Sequence, residues 1–230
     1  RIFGEGALST AYIPILSDNK NKKSKEETKD FIDSSITTLT SLLIIISIIG
    51  VLIAPILIYI IAPGFVNSEF GQGELSSDLL RITFPYMLFI CLTAVAGSIL
   101  NTYENFSIPA LTPVLLNIIL IISVIFISPY FQEPVFALAW GLLFGGLVQL
   151  LFQLYPLIKM GLFPKFKLNK NHPGILKIKV LMLPVIFGSS VTQINLVFDT
   201  IIASFLITGS ISWLYMSDRF IELPLALFGI

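Results

Sequence analysis

The chain has 230 residues, of which 55% are hydrophobic and 12% are charged, and its formal net charge is zero. A soluble domain carries about 25% charged residues, so this composition excludes a soluble globular protein and indicates an integral membrane protein. The zero net charge argues against a nucleic-acid partner. The single cysteine, Cys91, excludes an internal disulfide and a cysteine-based metal site.

Apolar runs recur along the chain at the length of a membrane helix, which needs about 20 residues. They are too long for barrel strands and show no strand alternation, so the predicted fold class is all-α, a polytopic transmembrane helix bundle. The expected helices cover approximately 2–17, 34–62, 80–101, 108–128, 134–158, 177–207 and 211–230. Because the sequence begins without methionine and stops inside an apolar run, we expect residues 1–230 to be part of a longer transmembrane protein.

Lysine is confined to two segments, 18–30 and 159–179. Four expected helices separate these segments, so both lie on the same side of the membrane. The positive-inside rule makes that side cytoplasmic. The loops expected on the opposite side contain acidic residues and no lysine.

The three arginines are Arg1, Arg81 and Arg219. All three lie outside the two lysine-rich stretches, 18–30 and 159–179. Each is at the start of an expected membrane helix or inside one. A guanidinium group is planar and donates two parallel hydrogen bonds, which suits phosphate better than a lysine ammonium does. For Arg81, an interfacial anchor and a position at the mouth of a cavity remain equally open.

The last expected helix contains Asp218, Arg219 and Glu222 on one face. A charge at mid-membrane costs at least about 2.5–3.5 kcal/mol, so these groups must be paired or used. Asp199, inside the preceding helix, is expected to face a cavity and is a candidate counter-ion for Arg219. Glu5 follows Arg1 by four residues, the spacing of an intrahelical ion pair.

Other polar positions favour structural roles. Gln149 and Gln153, four residues apart, are expected to join neighbouring helices by hydrogen bonds, and Gly141 with Gly145 and Gly146 is typical of close helix packing. His172 is expected to be solvated. The sequence contains no nucleophile–base pair, no metal-ligand spacing and no phosphate-binding glycine loop, so we predict no catalytic residue, no metal and no cofactor.

Eight stretches resemble, in the correct order, motifs of the MurJ (MviN) lipid II flippases. They are Arg1-Ile-Phe-Gly-Glu-Gly-Ala-Leu-Ser9, Leu80-Arg-Ile-Thr-Phe-Pro-Tyr86, Gly97-Ser-Ile-Leu-Asn-Thr102, Pro113-Val-Leu-Leu-Asn117, Ala137-Leu-Ala-Trp-Gly141, Gln193-Ile-Asn195, Gly209-Ser-Ile-Ser-Trp-Leu-Tyr215 and Asp218-Arg-Phe-Ile-Glu-Leu-Pro224. The resemblance covers the whole chain. It implies a fourteen-helix transporter of the MATE-like superfamily, of which this chain is helices two to eight.

The resemblance also implies a function. The family moves the undecaprenyl-diphosphate-linked peptidoglycan precursor, lipid II, from the inner to the outer leaflet of the bacterial cytoplasmic membrane by alternating access. Arg1 and Arg219 match substrate-binding arginines of its cavity, and Glu5 and Asp218 match neighbouring acids. Asp199 departs from the family pattern, in which an amide is frequent. The implied partners are the lipid-linked substrate, membrane lipids, cell-wall synthesis proteins and the remaining half of the bundle.

Two alternatives remain open at this level. One is a MATE-type drug or oligosaccharide exporter, for which a drug pathway would favour acidic cavity residues over arginines. The other is a non-transporting membrane scaffold, in which Asp218, Arg219 and Glu222 would be buried and paired with no water-filled cavity beside them.

Overall fold

The structure, a computed structural model, describes residues 8–66, 71–169, 172–207 and 209–228. These residues form helices and contain no β-strand, which confirms the all-α prediction. In chain order the helices are α1 (Leu8–Lys22), α2 (Lys25–Leu52), α3 (Ala54–Ile61), α4 (Pro63–Val66), α5 (Gln72–Thr83), α6 (Tyr86–Thr102), α7 (Ser107–Ile122), α8 (Val135–Lys159), α9 (Pro173–Ser204) and α10 (Ser210–Phe228). A π-helical turn, Ser123–Ile127, and a 3₁₀ turn, Ser128–Tyr130, extend α7.

Several helical stretches have the length and apolarity of membrane spans. Among the described residues, four qualify on their own: Lys25–Leu52, Gln72–Thr102, Ser107–Tyr130 and Val135–Lys159. A fifth is counted if Pro173–Gly188 and Gln193–Ser204 form one broken span. The chain is therefore a multi-pass, helical membrane protein.

The helix expected from residue 34 begins earlier, at Lys25. Ser24 and Glu27 explain the early start, because they form a capping box. The Ser24 backbone N–H donates to Glu27 Oε2 at 3.1 Å, and the Glu27 N–H donates to Ser24 Oγ at 3.2 Å. The apolar run defines where the helix enters lipid, whereas the capping box defines where the helix starts.

The lysine-rich stretches are also more helical than expected. Only Lys23 and Ser24 separate α1 from α2. Lys177 and Lys179, expected in the second loop, lie in the first two turns of α9, which starts at Pro173. A proline fits the first turn of a helix, where its missing N–H has no partner to lose.

Prolines account for two interruptions of the expected spans. Pro55 lies in the first turn of α3, just after the break that ends α2, and Pro85 is the N-terminal cap of α6, just after the end of α5. Proline lacks an N–H and its ring collides with the carbonyl four residues earlier. Pro113, Pro184 and Pro224, in contrast, lie inside α7, α9 and α10 without ending them.

The described residues belong to two compact units. The first comprises 8–52 and 79–189, and the second comprises 53–78 and 190–228. In the first unit, α1, α2, α6, α8 and the start of α9 pack around an apolar core of Leu8, Tyr12, Ile15, Leu16, Phe31, Ile32, Val95, Ala96, Ile99, Leu100, Leu157 and Ile178. In the second unit, the Gly64 N–H donates to Ser204 Oγ at 3.1 Å and joins α4 to the end of α9.

The glycines of α8 allow close helix packing, as the sequence predicts. A Cβ atom at Gly146 would lie 2.6 Å from Tyr86 Cδ2 on α6, and one at Gly141 would lie 2.8 Å from Ser123 Cβ. These separations are shorter than van der Waals contact, so α8 can sit this close to its neighbours only with glycine at these positions.

A polar attachment holds the connection after α8 against α2. We call residues 161–169 the lysine segment. Its backbone N–H groups at Lys165 and Lys167 donate to Asp33 Oδ1 at 2.9 Å and to Thr37 Oγ1 at 3.0 Å. Asp33 and Thr37 are one helical turn apart on α2, so one face of α2 binds the extended segment.

The expectation of a solvated His172 is wrong. The His172 side chain is buried, with its ring centroid 5.7 Å from that of Phe31. Its Nδ1 accepts a hydrogen bond from the Gly174 N–H at 3.1 Å, so His172 caps the start of α9. Burial lowers the pKa of His172, an effect that the nearby Asp30 carboxylate opposes.

We predict that Gly146→Ala destabilises the protein by about 1–3 kcal/mol, because the new methyl group collides with the Tyr86 ring. Thermal unfolding in detergent measures the effect. Gly188→Ala is the matched control, since a Cβ atom there would meet no other atom within 4 Å. Equal unfolding temperatures for the two variants would contradict the packing role of Gly146.

We predict that the start of α9 loosens as the pH falls below about 6.5, the ordinary histidine pKa. Because the pKa of His172 is lowered in the fold, the unfolded chain binds the proton more readily, and stability decreases with acidification. Hydrogen exchange at the Gly174, Ile175 and Leu176 amides, corrected for intrinsic rates, should be faster at pH 5.5 than at pH 7.5. In His172→Asn, whose side chain keeps an acceptor at the capping position but does not titrate, the difference should disappear. If the difference in exchange rate between pH 5.5 and pH 7.5 persists in His172→Asn, a group other than His172 is responsible.

Candidate functional site

The candidate site is built on α10, which starts after a tight turn. Gly209 has φ +101°, in the left-handed region that favours glycine. The Trp213 N–H donates to the Gly209 carbonyl at 2.9 Å, which closes the first turn of the helix. The hydroxyl group of Ser210 donates to the Ile207 carbonyl at 2.8 Å and closes the end of the preceding connection.

Arg219 contacts Tyr215 one helical turn earlier. Its Nε and one terminal nitrogen donate to the Tyr215 hydroxyl oxygen at 3.1 and 2.8 Å. The guanidinium carbon lies 5.0 Å from the centre of the Tyr215 ring, within cation–π range. Both side chains are exposed, so the tyrosine holds the guanidinium group without covering it.

Three acids of the predicted site lie on α9 and α10. Asp218 on α10 and Asp199 on α9 are both exposed. Glu222 lies on α10, but its side chain is outside the described part of the structure.

Three further residues were predicted for the site: Arg1, Glu5 and Arg81. Arg1 and Glu5 are outside the described residues. Arg81 is exposed in the last turn of α5 and belongs to the first unit, whereas Arg219 belongs to the second.

The Arg219 arrangement suits an anionic ligand. Two N–H groups share one phenol oxygen, which is a neutral acceptor. A phosphate oxygen is a stronger acceptor for guanidinium and can take two parallel N–H groups. An arriving phosphate can therefore replace the phenol oxygen, while the aromatic ring keeps the guanidinium group in position. Tyr215 was not among the predicted site residues, although its spacing of four from Arg219 could have identified it.

A second polar cluster lies inside the first unit. Gln149 Nε2 donates to the Thr112 carbonyl at 3.0 Å, and Gln153 Nε2 donates to Thr112 Oγ1 at 2.8 Å. These bonds confirm that the two glutamines join α8 to α7. Their Oε1 atoms have no hydrogen-bond partner among the described residues, and both residues line a cavity of about 260 Å³. The cavity lining is neutral, so it is suited to water rather than to a charged ligand.

No group of three or more histidine, cysteine, aspartate and glutamate side chains is arranged for a metal ion in the described ranges. The candidate site in the described part of the chain is therefore the exposed guanidinium group of Arg219 on α10. Fold and site together define a polytopic membrane protein with a candidate anion-binding helix.

The chain belongs to the family described as "Lipid II flippase MurJ", whose model matches residues 1–230. Among its relatives, the probable lipid II flippase MurJ of Vibrio cholerae is 45% identical over 100% of this chain and 45% of the relative. The protein of the same name from Haemophilus influenzae is 42% identical over 100% of this chain and 46% of the relative. The chain thus spans about half the length of these relatives.

A solved structure gives the same result for the fold. The structure described as lipid II flippase MurJ in its inward closed conformation superposes with a TM-score of 0.78 and is 33% identical. The match covers 100% of this chain and 46% of the solved one.

We predict that Tyr215→Phe increases the reactivity of Arg219 toward phenylglyoxal, because the phenol oxygen no longer holds the guanidinium group. Folding stability should change by no more than about 0.5 kcal/mol, since the bond is exposed. Peptide mass spectrometry measures modification at Arg219. Tyr155→Phe, which removes the hydroxyl of another exposed tyrosine, is the control. An unchanged rate in Tyr215→Phe would contradict the holding role.

Proposed function

We propose that this chain forms part of a flippase that moves lipid II across the bacterial cytoplasmic membrane, from the inner to the outer leaflet, by alternating access. The observation that carries the proposal is the family match along the whole chain. The relatives' names and the fold of the solved flippase support the same substrate. They favour it over the drug or oligosaccharide exporter and over the scaffold.

Arg219 is the residue that we assign to the substrate diphosphate. Lipid II carries its charge on a diphosphate group, and a guanidinium group recognises phosphate by paired hydrogen bonds. The placement of Arg219 on an apolar helix, exposed and held by Tyr215, supports this role. Arg1 is proposed as a second diphosphate ligand by its match to the family motif.

The acids are assigned a different task. Glu5, Asp199, Asp218 and Glu222 position the arginines and reduce their charge when no substrate is bound, because an unpaired cation in a low-dielectric cavity is costly. Arg81 is proposed at the mouth of the cavity. None of these residues is assigned a catalytic step, and the protein is proposed to be a transporter rather than an enzyme.

The membrane orientation follows from the lysines. The two lysine-rich stretches, 18–30 and 159–179, are proposed to face the cytoplasm. The attachment of the lysine segment to Asp33 and Thr37 supports one common side, because it holds the second stretch against the start of α2.

We predict that Arg219→Ala, in the complete gene that encodes this chain, lowers lipid II flipping by about 10- to 150-fold, the range for losing hydrogen bonds to a charged group. The assay is complementation of a strain depleted of its own flippase, with protein level measured by immunoblot. Arg219→Lys should recover part of the activity, since it keeps the charge but not the paired donors.

Lys165→Ala is the control, because it removes one positive charge from the lysine segment. It should complement fully. Normal growth with Arg219→Ala at wild-type protein level would refute the role of Arg219 while leaving the family match intact.

A further inference from the structure

Two backbone N–H groups of the lysine segment bind α2 at matching intervals. The Lys165 N–H donates to Asp33 Oδ1 at 2.9 Å, and the Lys167 N–H donates to Thr37 Oγ1 at 3.0 Å. The two donors are two residues apart, and in an extended chain two residues span about 6.4–6.8 Å. The two acceptors are four residues apart on a helix, which is a rise of about 6.0 Å. The two spacings are nearly equal, so the segment can follow α2 step by step.

The match continues one step toward α8. The Phe163 carbonyl, two residues before Lys165, accepts a hydrogen bond from the Lys29 ammonium group at 2.9 Å. Lys29 lies four residues before Asp33 on α2 and also forms an ion pair with it. Three alternate residues of the segment thus pair, in order, with three positions of α2 that are each four residues apart.

The backbone groups of the segment point as an extended chain requires. In such a chain, the N–H and C=O of one residue face the same side, and those of the next residue face the other side. The Lys165 carbonyl oxygen lies 3.5 Å from the Thr37 hydroxyl oxygen, so it faces α2 together with the Lys165 N–H. Pro164 lies at a position that faces away from α2, where its missing N–H costs no bond to the helix.

Ion pairs and burial strengthen these contacts. The Lys167 ammonium group pairs with the Asp30 carboxylate, and Lys29 pairs with Asp33. Asp33 and Thr37 are buried, so water competes little for the two backbone N–H groups that they bind. A hydrogen bond in such surroundings is stronger than one in water, and an N–H group that loses its partner there is costly.

The same stretch of α2 also contacts the beginning of α9. The His172 ring packs against the Phe31 ring, and a Cβ atom at Gly174 would lie 2.5 Å from the Phe31 ring. Helix α2 therefore contacts the connection between α8 and α9 twice, once through the lysine segment and once at the beginning of α9.

We propose that residues 163–167 and α2 form a register lock, which fixes how far along α2 the start of α9 lies. A slip of one residue would turn the bonded N–H groups away from α2 and would bring Pro164, which has no N–H, toward it. The lock lies within the first unit. It is independent of the proposed transport of lipid II, so it would stand if that function were disproved.

Hydrogen exchange resolved to single amides tests the pairing in the protein expressed from its complete gene. After correction for intrinsic rates, the Lys165 and Lys167 amides should exchange about tenfold more slowly than those of Phe166 and Leu168, the factor for one hydrogen bond of ordinary net strength. Equal rates at the four amides would overturn the proposal.

Thr37→Val removes one acceptor of the lock with little change in shape. Exchange at the Lys167 amide should become about tenfold faster, and exchange at the Leu176 amide, at the start of α9, should also become faster. Thr38→Val is the matched control and should leave both rates unchanged, because the Thr38 hydroxyl donates to the Ser34 carbonyl of its own helix. If Thr37→Val accelerates exchange at Lys167 alone, the segment is attached to α2 but does not position α9, and the lock is refuted.

Two insertions test the register. A single glycine inserted after Lys165 should move the slow exchange from Lys167 to Phe166, which is then two residues after Lys165 and faces α2. A single glycine inserted after Leu168 should leave exchange at Lys165 and Lys167 slow and should accelerate it at Leu176, because the added residue then lies between the lock and α9. The same exchange pattern in both proteins would show that the segment has no fixed register and would overturn the proposal.

Discussion

Inside a bilayer no water completes the hydrogen bonds of the backbone, and this constraint determines most of the structure. The described residues satisfy it with helices. Where proline prevents a helical bond, the chain breaks and restarts, as at Pro55 and Pro85. Where a polar side chain is buried, as at Gln149, it forms a hydrogen bond to a neighbouring helix. This bond offsets part of the cost of removing the side chain from water and links the two helices.

The same constraint separates the charges by type and position. Most of the described lysines are exposed, and the segment after α8 is held to α2 by Asp33 and Thr37. Arg219 lies on an apolar helix and is held by a neutral partner, Tyr215. A phosphate oxygen is a stronger acceptor for guanidinium than a phenol oxygen is, which agrees with the proposed transport of a diphosphate.

Much of the fold was predictable from local patterns, and the reasons are physical. The low charge content predicted the class, and the spacing of Gly141, Gly145 and Gly146 predicted close packing. The start of α2 was missed because hydropathy records lipid contact rather than helix initiation, although Ser24 and Glu27 carried the signal. The burial of His172 was not predictable, because it depends on how its connection packs against Phe31 on the distant helix α2.

The central proposal is that this chain is part of a flippase that moves lipid II between the leaflets of the membrane. The most direct measurement is made with the protein from its complete gene, purified and reconstituted in vesicles that contain lipid II. The rate at which lipid II becomes accessible to a membrane-impermeant reagent outside the vesicles is then compared with that in protein-free vesicles. The account predicts a rate well above the protein-free value, and equal rates with folded, correctly inserted protein would contradict it.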